Sequence, residues 1–244
     1  MGIYQTVRLI EIETSRMRSM KSTNILIMIA ILSFLLPWTG ALCAGGPDTF
    51  SVTRIKYDGG GDWYGNKTTL VNLFKFMSEQ LGIQTTLREN TAEIMDDSFM
   101  DYPMIYLAGH GNIKFSENEA ARLRQYLVSG GFLFADDDYG MDRSFRREMK
   151  KVFPSINFVE LPFSHPIYHS QFNFPNGLPK IHEHDGGPPR GLGLIYEGRL
   201  VVFYSFNTDI SDGCEDPEIH NDPPDKRTAA LKMGVNILLY SLLY

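Results

Sequence analysis

Apolar residues recur along the chain in two rhythms. Runs of four to six residues rich in Val, Ile, Leu, Phe and Tyr read as strands: Val52–Tyr57, Ile83–Leu87, Met104–Leu107, Phe132–Ala135 and Ile156–Leu161. Phe132–Ala135 has no polar alternation, as expected of a strand covered on both faces. Between these runs the spacing becomes helical. Leu70, Phe74, Met77 and Leu81 share one face over 68–81, a stretch that Gly82 stops. Ala120, Leu123 and Leu127 form a second stripe behind a capping box of Ser116 and Glu119, and Gly130-Gly131 ends it. Asp142–Phe153 is a third, basic helix, closed by Pro154. Leu192–Tyr196 and Leu200–Tyr204 pair as a hairpin around Glu197-Gly198-Arg199, and 227–243 is a closing helix with Ala230, Met233, Ile237 and Tyr240 on one face. Strands alternating with helices predict an α/β fold with a doubly wound, mostly parallel, flavodoxin-like sheet.

Chemistry-bearing residues gather in the polar interruptions. Asp58-Gly59-Gly60-Gly61-Asp62-Trp63-Tyr64-Gly65 follows the first strand, Gly109-His110-Gly111 the third, and Asp136-Asp137-Asp138-Tyr139-Gly140 the fourth. Loops at the carboxyl ends of parallel strands hold the ligands of such sheets, so these three should open into one crevice. The glycines let the backbone turn sharply and approach a ligand, although no Lys-Ser/Thr follows as in a Walker loop, and a tight strand-to-helix turn is the alternative. Residues 89–101 and 207–225 read as polar connections. Residues 162–189 form a long loop rich in Pro, His and Gly; its Phe163, Tyr168, Phe172 and Phe174 argue for order, and loops of that length are commonly functional.

The first 44 residues belong to a different category. The apolar run Ile25–Leu36 follows Lys21 and precedes the small-residue stretch Thr39–Gly45, the order of a secretory signal cleaved near Cys43 or Ala44. An uncleaved N-terminal membrane anchor is the alternative. Met17 and Met20 offer later starts, which would leave residues 1–19 untranslated. Gly40-Ala41-Leu42 does not make a lipobox before Cys43. After cleavage only Cys214 remains, so no intrachain disulfide can form, a cysteine usage that fits a bacterial periplasm or cell surface. Residues 45–244 then form a single domain, for which a hydrophobic fraction of 43% is ample. Cleavage removes four basic and two acidic side chains and takes the formal charge from −6 to −8, which disfavours nucleic acid as a partner.

The motifs KYDGGGDWYGN, YLAGHGNIKFS, GGFLFADDDYGMDRSFRREM, LPFSHPIYHS, LPKIHEHDG and HNDPPDKR, taken in order, resemble a bacterial family catalogued as domain of unknown function 4159, from about Val52 to the end of the chain. That resemblance implies no activity. More distantly, Tyr102–Met141 is similar to the class I glutamine amidotransferase-like superfamily, whose strand, helix and strand lead to a nucleophile elbow resembling G-x-C-x-G. Here Asp138 falls roughly where the thiol would be, so the likeness implies the fold and not glutamine hydrolysis.

All six histidines lie in predicted loops. His165 and His169, with His182 and His184, offer imidazoles of the kind that bind a divalent metal, and Glu183 and Asp185 add carboxylates. Hydrogen bonding of these imidazoles to backbone is the alternative, and Pro166 rules out a regular helix aligning His165 with His169. His110, Asp136, Asp137 and Asp138 are the catalytic candidates; Gly59, Gly60, Gly61, Asp62, Trp63, Tyr139, Glu183 and Asp185 are the ligand-binding ones. One of three adjacent aspartates can cap the next helix, but three crowded carboxylates raise one another's pKa unless a ligand or cation relieves them. Three functions fit: an exported hydrolase-like enzyme, a non-catalytic domain binding carbohydrate or an envelope component, and a structural module of an envelope complex.

Overall fold

The computed structural model describes residues 51–83, 89–184 and 186–244. The segment read as an export signal, the strand expected over 83–87 apart from Ile83, and Asp185 lie outside the described residues. Among the described residues seven strands form one sheet: β1 Val52–Lys56, β2 Asn90–Glu93, β3 Met104–Gly109, β4 Phe132–Asp137, β5 Val159–Glu160, β6 Arg190–Tyr196 and β7 Arg199–Phe206. Their order is β2-β1-β3-β4-β7-β6-β5. The first five in that order run parallel, and β6 and β5 extend the sheet antiparallel. The helices are α1 Thr69–Leu81, α2 Glu117–Val128, α3 Asp142–Val152, α4 Ile210–Cys214, α5 Pro217–His220 and α6 Pro224–Leu243.

Alternation along the central strands divides the core between two faces. Met104, Tyr106, Phe132 and Phe134 pack with Leu70, Phe74 and Met77 of α1 and with Met233 and Ile237 of α6. Ile105, Leu107, Leu133 and Ala135 pack with Leu123 and Leu127 of α2 and with Phe145 and Met149 of α3. Both faces of β3 and β4 are thereby covered, which is why those strands read as continuous apolar runs. The Ser116–Glu119 capping box starts α2 as its sequence predicts. In the β6–β7 hairpin the turn is Glu197-Gly198, at φ 49° and 83°, the two left-handed residues of a type I′ turn.

Three segments depart from the sequence expectation. The second described strand is 90–93, inside the stretch read as a connection. Only two residues of 156–161 pair as a strand, because Ile156 and Phe158 turn into the α3 side of the core, the Phe158 ring 5.8 Å from that of Phe145. The 207–225 connection contains α4 and α5, and α4 is buried throughout. No helix among the described residues is long and apolar enough to cross a membrane.

Candidate metal centre

The three aspartates that end β4 have three different sets of partners. Asp136, fully buried, accepts hydrogen bonds from the Ser205 hydroxyl on β7 and from the Ser211 N–H on α4 at 2.6 Å, so it fastens β4 to the segment that follows β7. Asp137 accepts from the N–H groups of Tyr139 at 3.2 Å and Met141 at 3.1 Å and from the Tyr204 hydroxyl at 3.2 Å, which fixes the turn into α3. Asp138, also fully buried, accepts from the Asn66 side-chain amide at 2.9 Å, and its Oδ1 has no partner. Of the three, Asp138 is the one with an unused oxygen.

Asn66 connects it to the rest of the centre. The same amide nitrogen donates to Asp212 Oδ1 at 2.8 Å, drawing Asp138 and Asp212 together. Asn66 is held in turn by Arg54, buried on β1, which donates to the carbonyls of Asn66 at 2.8 Å and Trp63 at 3.2 Å and pairs with Glu89. On the other side, the Ile181 N–H donates to the Thr208 carbonyl at 3.0 Å, and Lys226 donates to the Ile181 carbonyl at 2.7 Å. These bonds bring the 182–184 loop onto the chain that leaves β7.

The imidazoles and carboxylates meet there. His182 Nδ1 lies 3.0 Å from Asp209 Oδ2 and 3.3 Å from Asp212 Oδ2, and its Nε2 lies 3.1 Å from Asp222 Oδ1. His184 Nε2 contacts the same Asp209 Oδ2. His220 Nε2 lies 2.9 Å from Glu215 Oε2 and 3.9 Å from Asp212 Oδ1. Two donor groups result, His182 with His184 and Asp209 and His182 with Asp212 and His220, each with its ligand atoms within 4.8 Å of one another. Ligands at Zn–N bond lengths around a tetrahedral ion stand roughly 3.3 Å apart, and the His182 Nδ1 separations of 3.0 and 3.3 Å from Asp209 and Asp212 are of that length. Asp209 is fully buried with a left-handed φ of 62°, and its Oδ1 has no partner.

The charge is poorly balanced. Burial, reinforced by the charges of Asp212, Asp136 and Asp209, pushes the Asp138 carboxyl well above its usual range. Burial likewise raises Asp136 to about 7, against the hydrogen bonds from Ser205 and Ser211. His182 is raised to about 10, chiefly by its hydrogen bonds to Asp209 and Asp212. Without an ion, the imidazolium of His182 therefore carries much of the positive charge facing these acids. Beside the centre a cleft of about 390 Å³ is lined by Tyr139, Gly140, Arg143, His184, Phe206 and Asp209, among others. A neighbouring cleft of about 520 Å³ shares Gly140 and Arg143 with it and reaches Gly111 and Asn112.

Of the sequence candidates, Asp138, Tyr139, His182 and His184 come together. His110 is exposed and pairs with Asp62, 3.1 Å from Nδ1, on the loop that borders the second cleft. Gly61 donates to the Asn112 carbonyl at 3.0 Å, and a Cβ on Gly61 would stand 2.7 Å from the His110 carbonyl oxygen. The glycine loop is thus closed against the 110–113 loop, and of Gly59, Gly60 and Gly61 only Gly60 has open space around it. Trp63 packs on the core with Lys56 Nζ 5.7 Å above its ring. Glu183 is exposed.

His165 and His169 do not join the centre. His165 packs against Tyr240, 5.4 Å between rings, and its Nδ1 accepts from the Ile167 N–H at 3.3 Å. Tyr240 lies about 24 Å along α6 from Pro224, at 1.5 Å per residue, and so at the helix end remote from Asp222. Both nitrogens of His169 are occupied, by Asn173 Oδ1 and the Phe163 carbonyl, each at 2.7 Å. These two imidazoles are the backbone-bonded loop histidines of the alternative reading.

Sequence reasoning missed Asn66, Asp209, Asp212, Glu215, His220 and Asp222. The available signal was density: seven acidic residues lie between Asp209 and Asp225. Cys214 lies within that polar connection but on α4, where it is fully buried and burial pushes its thiol far above the usual range.

Fold and site together define an α/β protein with a histidine and carboxylate centre at the carboxyl edge of a mostly parallel sheet. The chain belongs to the family described as Domain of unknown function (DUF4159), whose model matches residues 51–242. No curated protein matches it.

Proposed function

We propose that the protein is an exported, divalent-metal-dependent enzyme of the hydrolase type, with His182, His184 and Asp209 holding the ion. The observation that carries this reading is the meeting of those three side chains beside the cleft that His184 and Asp209 line. The imidazoles of His182 and His184 are 22% and 31% exposed, which favours an open site over a closed structural one. A bound divalent ion would supply a water acidic enough to act as nucleophile near neutral pH. Arg143 would orient the substrate: it lines both clefts and makes no hydrogen bond or ion pair among the described residues, whereas Arg146, Arg147, Lys150 and Lys151 are all engaged. The parallel order β2-β1-β3-β4-β7 supports a flavodoxin-like class. The apolar run at 25–36 supports export.

Tyr139, half exposed at the cleft, favours a second reading as a non-catalytic carbohydrate-binding domain. The test is a panel of esters, amides, phosphoesters and glycosides presented to the metal-loaded protein. Turnover that chelation and His184→Ala both abolish is expected. Saturable glycan binding without turnover of any substrate would replace the enzyme by the binding domain.

A further inference from the structure

We propose that the centre holds two divalent cations bridged by Asp212, the second seated by His220 and Glu215; this rests on the reading that His182, His184 and Asp209 hold the first. The two oxygens of Asp212 face different imidazoles. Oδ2 lies 3.3 Å from His182 Nδ1, and Oδ1 lies 3.9 Å from His220 Nε2. His220 Nε2 is also 2.9 Å from Glu215 Oε2, so this one nitrogen has a carboxylate oxygen of Glu215 and another of Asp212 within 4 Å. His182 belongs to both donor groups, but one ring nitrogen binds one ion. With His182 Nδ1 committed beside Asp209, Asp212 and His220 remain of the second donor group, and Glu215 stands beside His220.

Charge and hydrogen bonding point the same way. Asp138, Asp209, Asp212 and Glu215 are all at most 6% exposed, and together with Asp222 they set five carboxylates against three imidazoles. Two oxygens in the cluster, Asp138 Oδ1 and Asp209 Oδ1, are fully buried with no partner. Asp209 belongs to the first ligand set. Asp138 is tied to Asp212 through the Asn66 amide, which places an unsatisfied acceptor next to the bridging carboxylate. Two ions held by these residues would stabilise both the attacking and the leaving oxygen of a displacement.

The full chain, stripped with chelator and dialysed against Zn²⁺ or Mn²⁺, tests this by bound-metal analysis and calorimetry. Two ions per chain are expected for the unaltered protein and one each for His220→Ala and His184→Ala. The Mn²⁺ form should give an exchange-coupled electron paramagnetic resonance signal that His220→Ala abolishes. One ion that His220→Ala leaves in place would overturn the second site and leave the first standing. No bound ion in the unaltered protein would overturn both. If His220→Ala loses its native circular dichroism, His220→Gln replaces it, with the same loss of one ion expected and retention of two counting against the proposal.

Discussion

The imidazole of His184 lies close to flat against the ring of Tyr139, centroids 4.7 Å apart and planes 27° from parallel. Tyr139 holds φ at 99°, a conformation that costs a non-glycine residue on the order of 1–3 kcal/mol. The stack fastens the turn after β4 to the loop that supplies two imidazoles. Tyr139→Gly removes the ring but relieves the backbone, and a stacked pair contributes only about 0.5–1.5 kcal/mol, so the thermal midpoint of the metal-free protein should change little. Zn²⁺ affinity, read by competitive titration, should fall about tenfold or more, because His184 loses what orients it. Unchanged affinity would remove the stack from any part in metal binding.

Asp138→Asn should stabilise the metal-free protein. The substitution removes an acid whose ionised form is disfavoured by burial and by Asp212, Asp136 and Asp209, while leaving an acceptor for Asn66. A gain of about 1–3 kcal/mol in denaturant unfolding of chelator-treated protein is expected, shrinking or reversing when Zn²⁺ is added. A less stable metal-free variant would mean that the carboxylate is already compensated.

How legible was all this in the sequence? Helix α2 was plain because its signals are local: the Ser116 cap, Glu119 three residues on, and the Ala120, Leu123 and Leu127 stripe. Strand β2 was not, because Asn90-Thr91-Ala92-Glu93 has no apolar run; it is made by pairing along β1, Thr53 beside Asn90 through Lys56 beside Glu93, and buries only Ala92. The centre divides in the same way. His182 and His184 were visible as a close pair of imidazoles. Asp209 and Asp212 become their partners only because β7 ends beside β4 and Thr208 pairs with Ile181, contacts that no spacing records. His165 and His169 looked equivalent to the other pair until α6 carried His165 to its far end.

Glu148 should make stability depend on acid pH. It is 1% exposed on α3 and accepts from Lys151 at 2.7 Å, the Phe115 N–H at 2.8 Å and Arg147 at 2.6 Å. Burial alone would raise its carboxyl, but the bonds from Lys151, Phe115 and Arg147 prevail and hold it below the ordinary 4.5. A depressed folded-state pKa gives stability that is fully present above the unfolded-state value and is lost as pH falls through the folded one. Glu148→Gln should therefore cost about 1–3 kcal/mol at pH 7, with the gap from the unaltered protein closing in thermal scans below about pH 4. A gap independent of pH would show that packing, not charge, is what the glutamate contributes.

Glutamine should not be a substrate. Thiolate attack on glutamine needs a reactive cysteine; the turn after β4 carries none, and Cys214 is fully buried in α4 with its thiol held protonated. Ammonia release from glutamine should stay at background. Release that disappeared in Cys214→Ala would contradict this.

The two border strands of the sheet have a consequence for behaviour at high concentration. Unpaired strand margins are templates for joining one molecule to another, and long, flat, apolar margins are the dangerous ones. Here β2 offers four residues ending in Glu93, and β5 offers two, Val159 and Glu160, with Glu160 paired to Arg190. The long apolar strands β3 and β4 are interior, each flanked on both sides. Among the described residues the long apolar strands are enclosed and the borders are short and end in glutamates, an arrangement that resists sheet-to-sheet aggregation.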